Sequence, residues 1–406
     1  MEHTFRPATG WELASHVSEA YRRGHACEVI GGGTKRQVGR PQHAHVGLFT
    51  TAMRGIPLYE PTELVMSAQA GTPLAQVEAE LDRNRQMLAS EPVDLGPLLG
   101  QPAGAGTIGG AFVTNLSGAR RVAAGAMRDH LIGLQAVNGR GERFKSGGRV
   151  MKNVTGYDVA RGLTGSWGTL AIVTEVTFKI LPRPEETQTL VLFGLPDDIA
   201  TEAMTAAMGT PQEVSGACHV PADLVPHLEN TALKTVGRAL TFLRLENFSR
   251  FLPARVEKLK HELKPYGDIF VLPDETSRAL WRELGTLSVL RGSDAPLWRI
   301  SVAPLQGPKV VADIKRHMPV RAFYDWSGGL VWLEVPGAVG AGATDIRRVL
   351  SRTSGHATLI RAEESVRSSV DVFHPLDPGV ARLTAGLKAS FDPGNILNPG
   401  RMYAAH

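Results

Sequence analysis

The sequence predicts an α+β protein of two or three packed domains, and three observations carry that expectation. An N-terminal helical pattern runs directly into a short strand and a glycine-rich turn. A long strand rich in β-branched residues ends at a proline-rich break near residue 185. Beyond the break, strand candidates alternate with helices in the manner of an antiparallel sheet. At 406 residues the chain is long enough to bury more than one core.

Trp11, Leu13, Ala14, Val17, Ala20 and Tyr21 recur at helical spacing until Gly24 stops the pattern. The run 27–30 then reads as a strand, and Gly31-Gly32-Gly33-Thr34-Lys35 as the turn after it. Residues 64–70 read as a second strand, and Gly71-Thr72-Pro73 as a turn and helix start. Leu74, Val77, Leu81 and Leu88 fall on one face of that helix. From Gly96 to Gly125 the chain is rich in Gly and Ala and poor in charge until Arg120 and Arg121. Such a stretch makes a poor core helix but lets backbone approach a ligand closely. Residues 131–138 and 170–181 read as strands, and Pro182-Arg183-Pro184-Glu185-Glu186 as a boundary. Past it, TLVLFGL, RALTFLRL, LWRISVAPL and GLVWLEVP are strand candidates, separated by helices such as residues 253–264.

Composition excludes several classes. Hydrophobic content of 43% and charged content of 21% are those of an ordinary globular enzyme. The formal charge of +4 and pI near 9.1 are mildly basic, but no block of five like charges occurs, which argues against nucleic acid as a partner. Cys27 and Cys218 are the only cysteines, so this chain cannot ligate an iron–sulfur cluster by itself, and no disulfide framework is expected. The first residues contain no apolar core of signal-peptide length, and nowhere do about 18 apolar residues run together. A cytoplasmic location is expected, with any membrane contact made through a partner.

The glycine turn at 31–33 removes three Cβ atoms directly after a strand, so amide N–H groups can converge on an anion such as a phosphate. It does not fit the nucleotide P-loop pattern. A literal G-x-G-x-x-G does occur at Gly104–Gly109, with Asp129 twenty residues on. Pro102 precedes it, however, and GAFVTNLSGARR after it lacks a clean helical face, so a nicotinamide-binding unit is not expected there. The alternative is that both glycine loops wrap one cofactor.

Gly31–Lys35, Thr107-Ile108-Gly109-Gly110, Arg128-Asp129-His130 and GLTGSWGTLAIVTEVTFKILPRP together resemble the vanillyl-alcohol-oxidase-type, or PCMH-type, FAD-binding superfamily. FDPGNILNPGRM resembles the C-terminal signature of FAD-linked oxidases. With KNVTGYDVARGLTGSWGTL and HATLIR…VFHPL, the chain is most similar to the family of FAD-binding subunits of bacterial glycolate oxidase. The resemblance implies a PCMH-type domain over 1–185, in subdomains of about 1–57 and 58–185. An α+β cap domain with an antiparallel sheet follows over 186–350, and residues 351–406 return to the FAD domain.

By the same resemblance, Gly31, Gly32, Gly33 and Thr34 cradle the FAD pyrophosphate, and Lys35 either assists by charge or is solvated. Thr107, Ile108, Gly109 and Gly110 let backbone pass close to the cofactor, and Thr114, Asn115 and Gly118 extend that loop. Arg128 and Asp129 either touch FAD or fix the loop as an ion pair. Gly168, Thr169, Ile172 and Val173 match the segment that reads the adenine end, and Asn398 and Arg401 contact the flavin from the returning tail. Relatives with covalent flavin carry a histidine in the first glycine loop; GGGTKRQ has none, so non-covalent FAD is expected.

Oxidation of a 2-hydroxy acid needs a cation for the carboxylate and a base for the hydroxyl proton. Catalytic relatives use histidines and a late E-H-G-x-G motif, whereas this chain reads RAEESVRSSVDVFHP in that region. No catalytic base is identified. His43-Ala44-His45 reads as surface histidines, Glu363-Glu364 as a solvated helix turn, and His356, Arg361 and His374 as candidates with structural alternatives; no metal site is expected. The resemblance implies a complex with a larger homologous FAD-containing catalytic subunit and an iron–sulfur subunit. The competing expectation is a self-sufficient FAD-dependent 2-hydroxy acid dehydrogenase.

Overall fold

The computed structural model describes residues 1–148 and 157–404 and divides the chain into two compact units. The first comprises residues 1–117, 125–183 and 375–406; the second comprises 118–124 and 184–374. The motif residues Lys152–Gly156 lie outside the described residues.

The first unit begins with a capped helix, Gly10–Arg23. The Thr9 hydroxyl accepts from the Glu12 amide at 3.1 Å, the Glu12 carboxylate accepts from the Ala8 amide at 2.8 Å, and Gly24 closes the helix at φ +66°. Leu13, Val17 and Ala20 are buried as expected. Trp11 is not: it is 73% exposed, with the Arg143 guanidinium 3.9 Å from its ring. The helix packs on a parallel sheet ordered His3–Phe5, Val46–Phe49, Cys27–Ile30.

A second sheet in this unit has the order Leu58–Glu60, Val65–Gln69, Ala171–Lys179, Leu131–Asn138, Arg143–Gly147, all antiparallel. The helix Leu74–Arg83 stops at Asn84, so Leu88 is buried from outside it. The glycine-rich stretch contains a helix that its composition hid, Ile108–Thr114. Burial on both sides, with Ile108, Gly109, Ala111 and Phe112 all enclosed, explains the missing polar face. Phe112 and Phe178 meet at 5.4 Å in this core, each contributing about 2–3 kcal/mol by burial.

The C-terminal tail closes the unit. After the helix Pro378–Phe391, Leu397 pairs with Cys27 in parallel, extending the N-terminal sheet. Lys388 Nζ, buried, donates to Asp392 Oδ2 (2.7 Å), the Thr169 carbonyl (2.7 Å) and the Leu397 carbonyl (3.1 Å). Asp392 in turn accepts from the Ile396 and Leu397 amides. A buried pair with its hydrogen bonds filled fixes the path of the tail.

The second unit is built on an eight-stranded sheet, ordered Ile269–Leu272, Glu186–Phe193, Leu240–Asn247, Val214–Val220, Arg321–Asp325, Leu330–Glu334, Leu297–Ser301, His356–Arg361. Its two four-stranded halves are joined by the antiparallel pairing His219↔Tyr324. There the Tyr324 hydroxyl donates to Asp197 Oδ2 (2.7 Å), and His219 lies between Thr241 and Asp197. Residues 356–361, expected with the returning tail, are instead this sheet's edge strand. Residues 118–124 also join this unit: Arg120 pairs with Glu246 (2.5 and 3.1 Å), and Trp326 Nε1 donates to the Gly118 carbonyl (2.9 Å).

Candidate functional site

A cleft in the first unit encloses about 720 Å³ of empty space, the open solvent at its mouth included. Its floor and walls come from the strand Cys27–Ile30, the turn after it, the start of Ile108–Thr114, the strand Ala171–Lys179 and the tail.

Gly31 through Lys35 all line it. Among the described residues, the amides of Gly32, Gly33, Thr34 and Lys35 donate to no protein acceptor, a concentration of unmet donors that suits an anion. The glycines are required by close approach. A Cβ on Gly31 would stand 2.6 Å from Thr107 Oγ1, and one on Gly32 would collide with the Ala105 carbonyl oxygen. Gly33 has φ +78°, which a side chain tolerates poorly. Arg36 holds the turn from behind through a two-pronged pair with Glu28 (2.6 and 2.7 Å).

The facing wall is the second glycine loop. Thr107 caps its helix by accepting from the Gly110 amide (3.2 Å), and Gly109 presses so closely on Ala70 that a Cβ would come 2.6 Å from that side chain. Thr107, Gly109, Gly110 and Thr114 reach the cleft, as do Gly168, Ile172 and Val173. Asn398 fastens the tail across it: its Oδ1 accepts from the Val29 amide (2.8 Å) and its Nδ2 donates to the Trp167 carbonyl (2.9 Å). Arg401 donates to the Lys35 carbonyl (3.0 Å).

The electrostatics favour a negative guest. Burial pushes the Lys35 ammonium down to about 8; Asp94 counters this, while Arg401 adds to the lowering. Lys35, Arg36 and Arg401 all line the cleft, Arg36 already paired with Glu28, and an incoming phosphate would bring negative charge to Lys35. Among the described residues, the cleft lining contains no histidine, cysteine or tyrosine.

Six expected residues lie outside the lining. Ile108 is a core residue, and the Thr169 hydroxyl bonds the Ser166 carbonyl (2.7 Å). Asn115 ends its helix at φ +53°, and its Oδ1 accepts from the Arg128 amide (3.2 Å). Asp129 caps a short helix through the Ala126 amide (2.8 Å) and stands 3.8 Å from Arg128, so this pair holds the loop. Gly118 belongs to the second unit. Conversely, Val29, Arg36, Thr50, Ala70, Val113 and Trp167 line the cleft without having been singled out in the sequence. Trp167, at φ +55° before Gly168, sits in the GSWG motif, and that turn was the available signal.

The late candidates have local partners. Arg361 donates to Glu334 (2.5 Å) and the Ala295 carbonyl (2.9 Å). His374 Nδ1 meets Arg347 at 2.6 Å, and Glu363 and Glu364 lie exposed at a helix start. His45 stacks on His25 at 4.9 Å. Among the described residues, no group of three or more His, Cys, Asp and Glu is placed to hold a metal, and no helix is long and apolar enough to cross a membrane.

Residues 1–147 match the FAD binding domain family. The glycolate oxidase subunit GlcE of Escherichia coli (strain K12) is 32% identical over 397 residues, covering 97% of each chain. This chain belongs to the GlcE family. The glycolate oxidase subunit GlcD of Bacillus subtilis (strain 168), a larger homologue, is 27% identical over 73% of this chain and 68% of its own. The fold is shared with p-cresol methylhydroxylase, at a TM-score of 0.72 and 16% identity over 99% of this chain and 88% of that one. The α+β, PCMH-type fold expected from the sequence is the observed one, and the cofactor of its first domain is FAD.

Proposed function

We propose that this chain is the FAD-binding subunit of a multi-subunit glycolate oxidase that converts glycolate to glyoxylate. In this reading it is not the principal site of that oxidation. The observation that supports it most is the set of unmet amides at Gly32–Lys35, in a chain whose GlcE relative is named as one subunit of such an enzyme. FAD, when bound, supplies a two-electron acceptor. The residues of this chain would hold it without a covalent bond. The glycine turn and Lys35 take the pyrophosphate, the 107–110 loop and the strand Ala171–Lys179 hold the remainder, and Asn398 and Arg401 close over it. Ile172 and Val173, apolar and buried, keep water from that wall.

The partners in this reading are a larger homologous FAD-containing subunit, which carries the catalytic machinery, and an iron–sulfur subunit. Cys27 and Cys218 are both buried, with thiols raised by burial, and two thiols cannot ligate a cluster. Single electrons leaving for a quinone therefore need another chain. The complex would reside in the cytoplasm, docked at the inner membrane only through its partners.

The test is anaerobic addition of glycolate to the purified chain, alone and then with the larger homologous subunit. Flavin bands that persist alone but bleach in the mixture support the assignment. Bleaching of the lone chain would make it a self-sufficient 2-hydroxy acid dehydrogenase instead.

A further inference from the structure

The helix Pro378–Phe391 is turned inside out. Asp377 caps it by accepting from the Gly379 amide (2.8 Å), and Pro378 takes the first position, which needs no amide donor. A surface helix ordinarily buries its apolar stripe and sends its charges to solvent. Here the one fully buried side chain among 14 residues is Lys388. Ala381, Thr384, Ala385 and Phe391 lie on the same inward flank and are half-buried.

Val380, Leu383 and Leu387 point the other way. At about 100° per residue they fall within about 60° of one another around the helix. They are 49%, 76% and 41% exposed. A single exposed leucine needs no explanation, but three aliphatic neighbours along one outward face mark a contact surface. The helix that carries them is fixed. Lys388 Nζ donates to the Thr169 and Leu397 carbonyls, the Gly139 amide donates to the Phe391 carbonyl (2.9 Å), and the Phe391 ring stands 5.7 Å from that of Phe144. The stripe is thus held out by an anchored element, not by a frayed terminus.

Charge decides what covers it. Arg382, exposed beside Leu383, is the only charged residue on the outward face, and it makes no hydrogen bond or ion pair among the described residues. One cation is too few for an anionic lipid surface, which takes clusters of Lys and Arg. A second copy of this chain fits poorly as well. A two-fold contact centred on Leu383, the most exposed of the three, would set the Arg382 of each copy against the other. A different chain can place a carboxylate there while covering the leucines, and permanent subunit contacts are the apolar ones.

We propose that Val380, Leu383 and Leu387, with Arg382 at their edge, form the docking face for the larger homologous subunit, which meets it with an apolar surface carrying a carboxylate. The identity of the partner rests on the functional reading above; the docking face rests on the helix alone.

The experiment is sedimentation velocity of the full-length FAD-loaded chain mixed with the purified larger homologous subunit, repeated on Leu383→Asp, Leu387→Asp and Arg382→Glu. Val339→Asp, at a position 97% exposed in the second unit, is the control. All four positions are exposed, and flavin absorbance with circular dichroism verifies that each variant is folded. The parent chain is expected to form a complex, the three helix variants to weaken it at least tenfold, and the control to leave it unchanged. A complex equally tight in both leucine variants would overturn the proposal alone. Leucine variants that weaken it while Arg382→Glu does not would overturn the facing carboxylate. Self-association of the parent chain, or its binding to phosphatidylglycerol vesicles, that is lost in the leucine variants would overturn the choice of occupant. Absence of any complex with the parent chain would overturn the functional reading, and this proposal with it.

Discussion

Gly32→Ala should abolish practical FAD binding while leaving the chain folded. The added Cβ would lie far inside the 3.0 Å that side-chain carbons keep, against the Ala105 carbonyl oxygen, and 3.0 Å from its carbon. Both partners are backbone, so relief requires one glycine loop to move away from the other. Such a shift misplaces at least two of the converging amides at 32–35. A hydrogen bond to a charged group contributes about 1.5–3 kcal/mol, so two lost bonds weaken binding by roughly 3–6 kcal/mol, about 10² to 10⁴-fold. Gly33→Ala is the internal comparison: nothing lies within 4 Å of its Cβ, and only the φ of +78° is strained. That strain costs about 1–2 kcal/mol, about tenfold in affinity if it falls wholly on the bound loop. The assay is quenching of FAD fluorescence on titration into flavin-free protein, with circular dichroism to verify the fold. Gly32→Ala binding FAD within threefold of the parent chain, or Gly33→Ala losing more than Gly32→Ala, would refute the reasoning.

Other predictions follow from single groups. Lys35 is held down to about 8 before an anion arrives and is raised by it, so binding takes up a proton above that pH. FAD affinity should fall as pH rises through about 8, and Lys35→Met should flatten that dependence in the same fluorescence titration. Asn398→Ala removes both a buried acceptor for the Val29 amide and a donor to the Trp167 carbonyl. It should cost about 2–4 kcal/mol and lower the melting temperature by several degrees in calorimetry. Glu246 is raised by its burial but lowered further by Arg244 and Arg120, to about 2. Its folded value lies below its unfolded one, so the stability it contributes is present above about 4.5 and lost as pH falls toward 2. Urea unfolding of Glu246→Gln across that window should show a shallower acid loss than the parent chain.

What could be read in the sequence was mostly local. The turn at Gly31–Gly33 and the strand Leu131–Asn138 each announce themselves within a few residues, because φ and strand propensity are short-range properties, whereas Asn398 and Arg401 were marked only by the resemblance of FDPGNILNPGRM. Long-range pairing was hidden. Nothing near Arg120 says that residues 118–124 leave one unit for the other; the partner that holds them, Glu246, lies 126 residues away. The helix Ile108–Thr114 lacked an amphipathic pattern because it is enclosed on both sides. His356 and Arg361 looked like part of the returning tail, but their strand pairs with Leu297–Ser301 at a sheet edge. Lys388, on a largely exposed helix, was not singled out in the sequence and is the buried anchor of the tail. In each case a tertiary neighbour decides the role.

The most direct test of the central claim is a visible absorption spectrum of the chain purified alone, followed by the same spectrum of the supernatant after acid precipitation. Flavin bands in the native sample, recovered in the supernatant as FAD, are the expected result and would show a non-covalent cofactor held by this chain. A colourless native protein that stays colourless when FAD is added would contradict the account, because the glycine cleft would then not be a cofactor site in this chain.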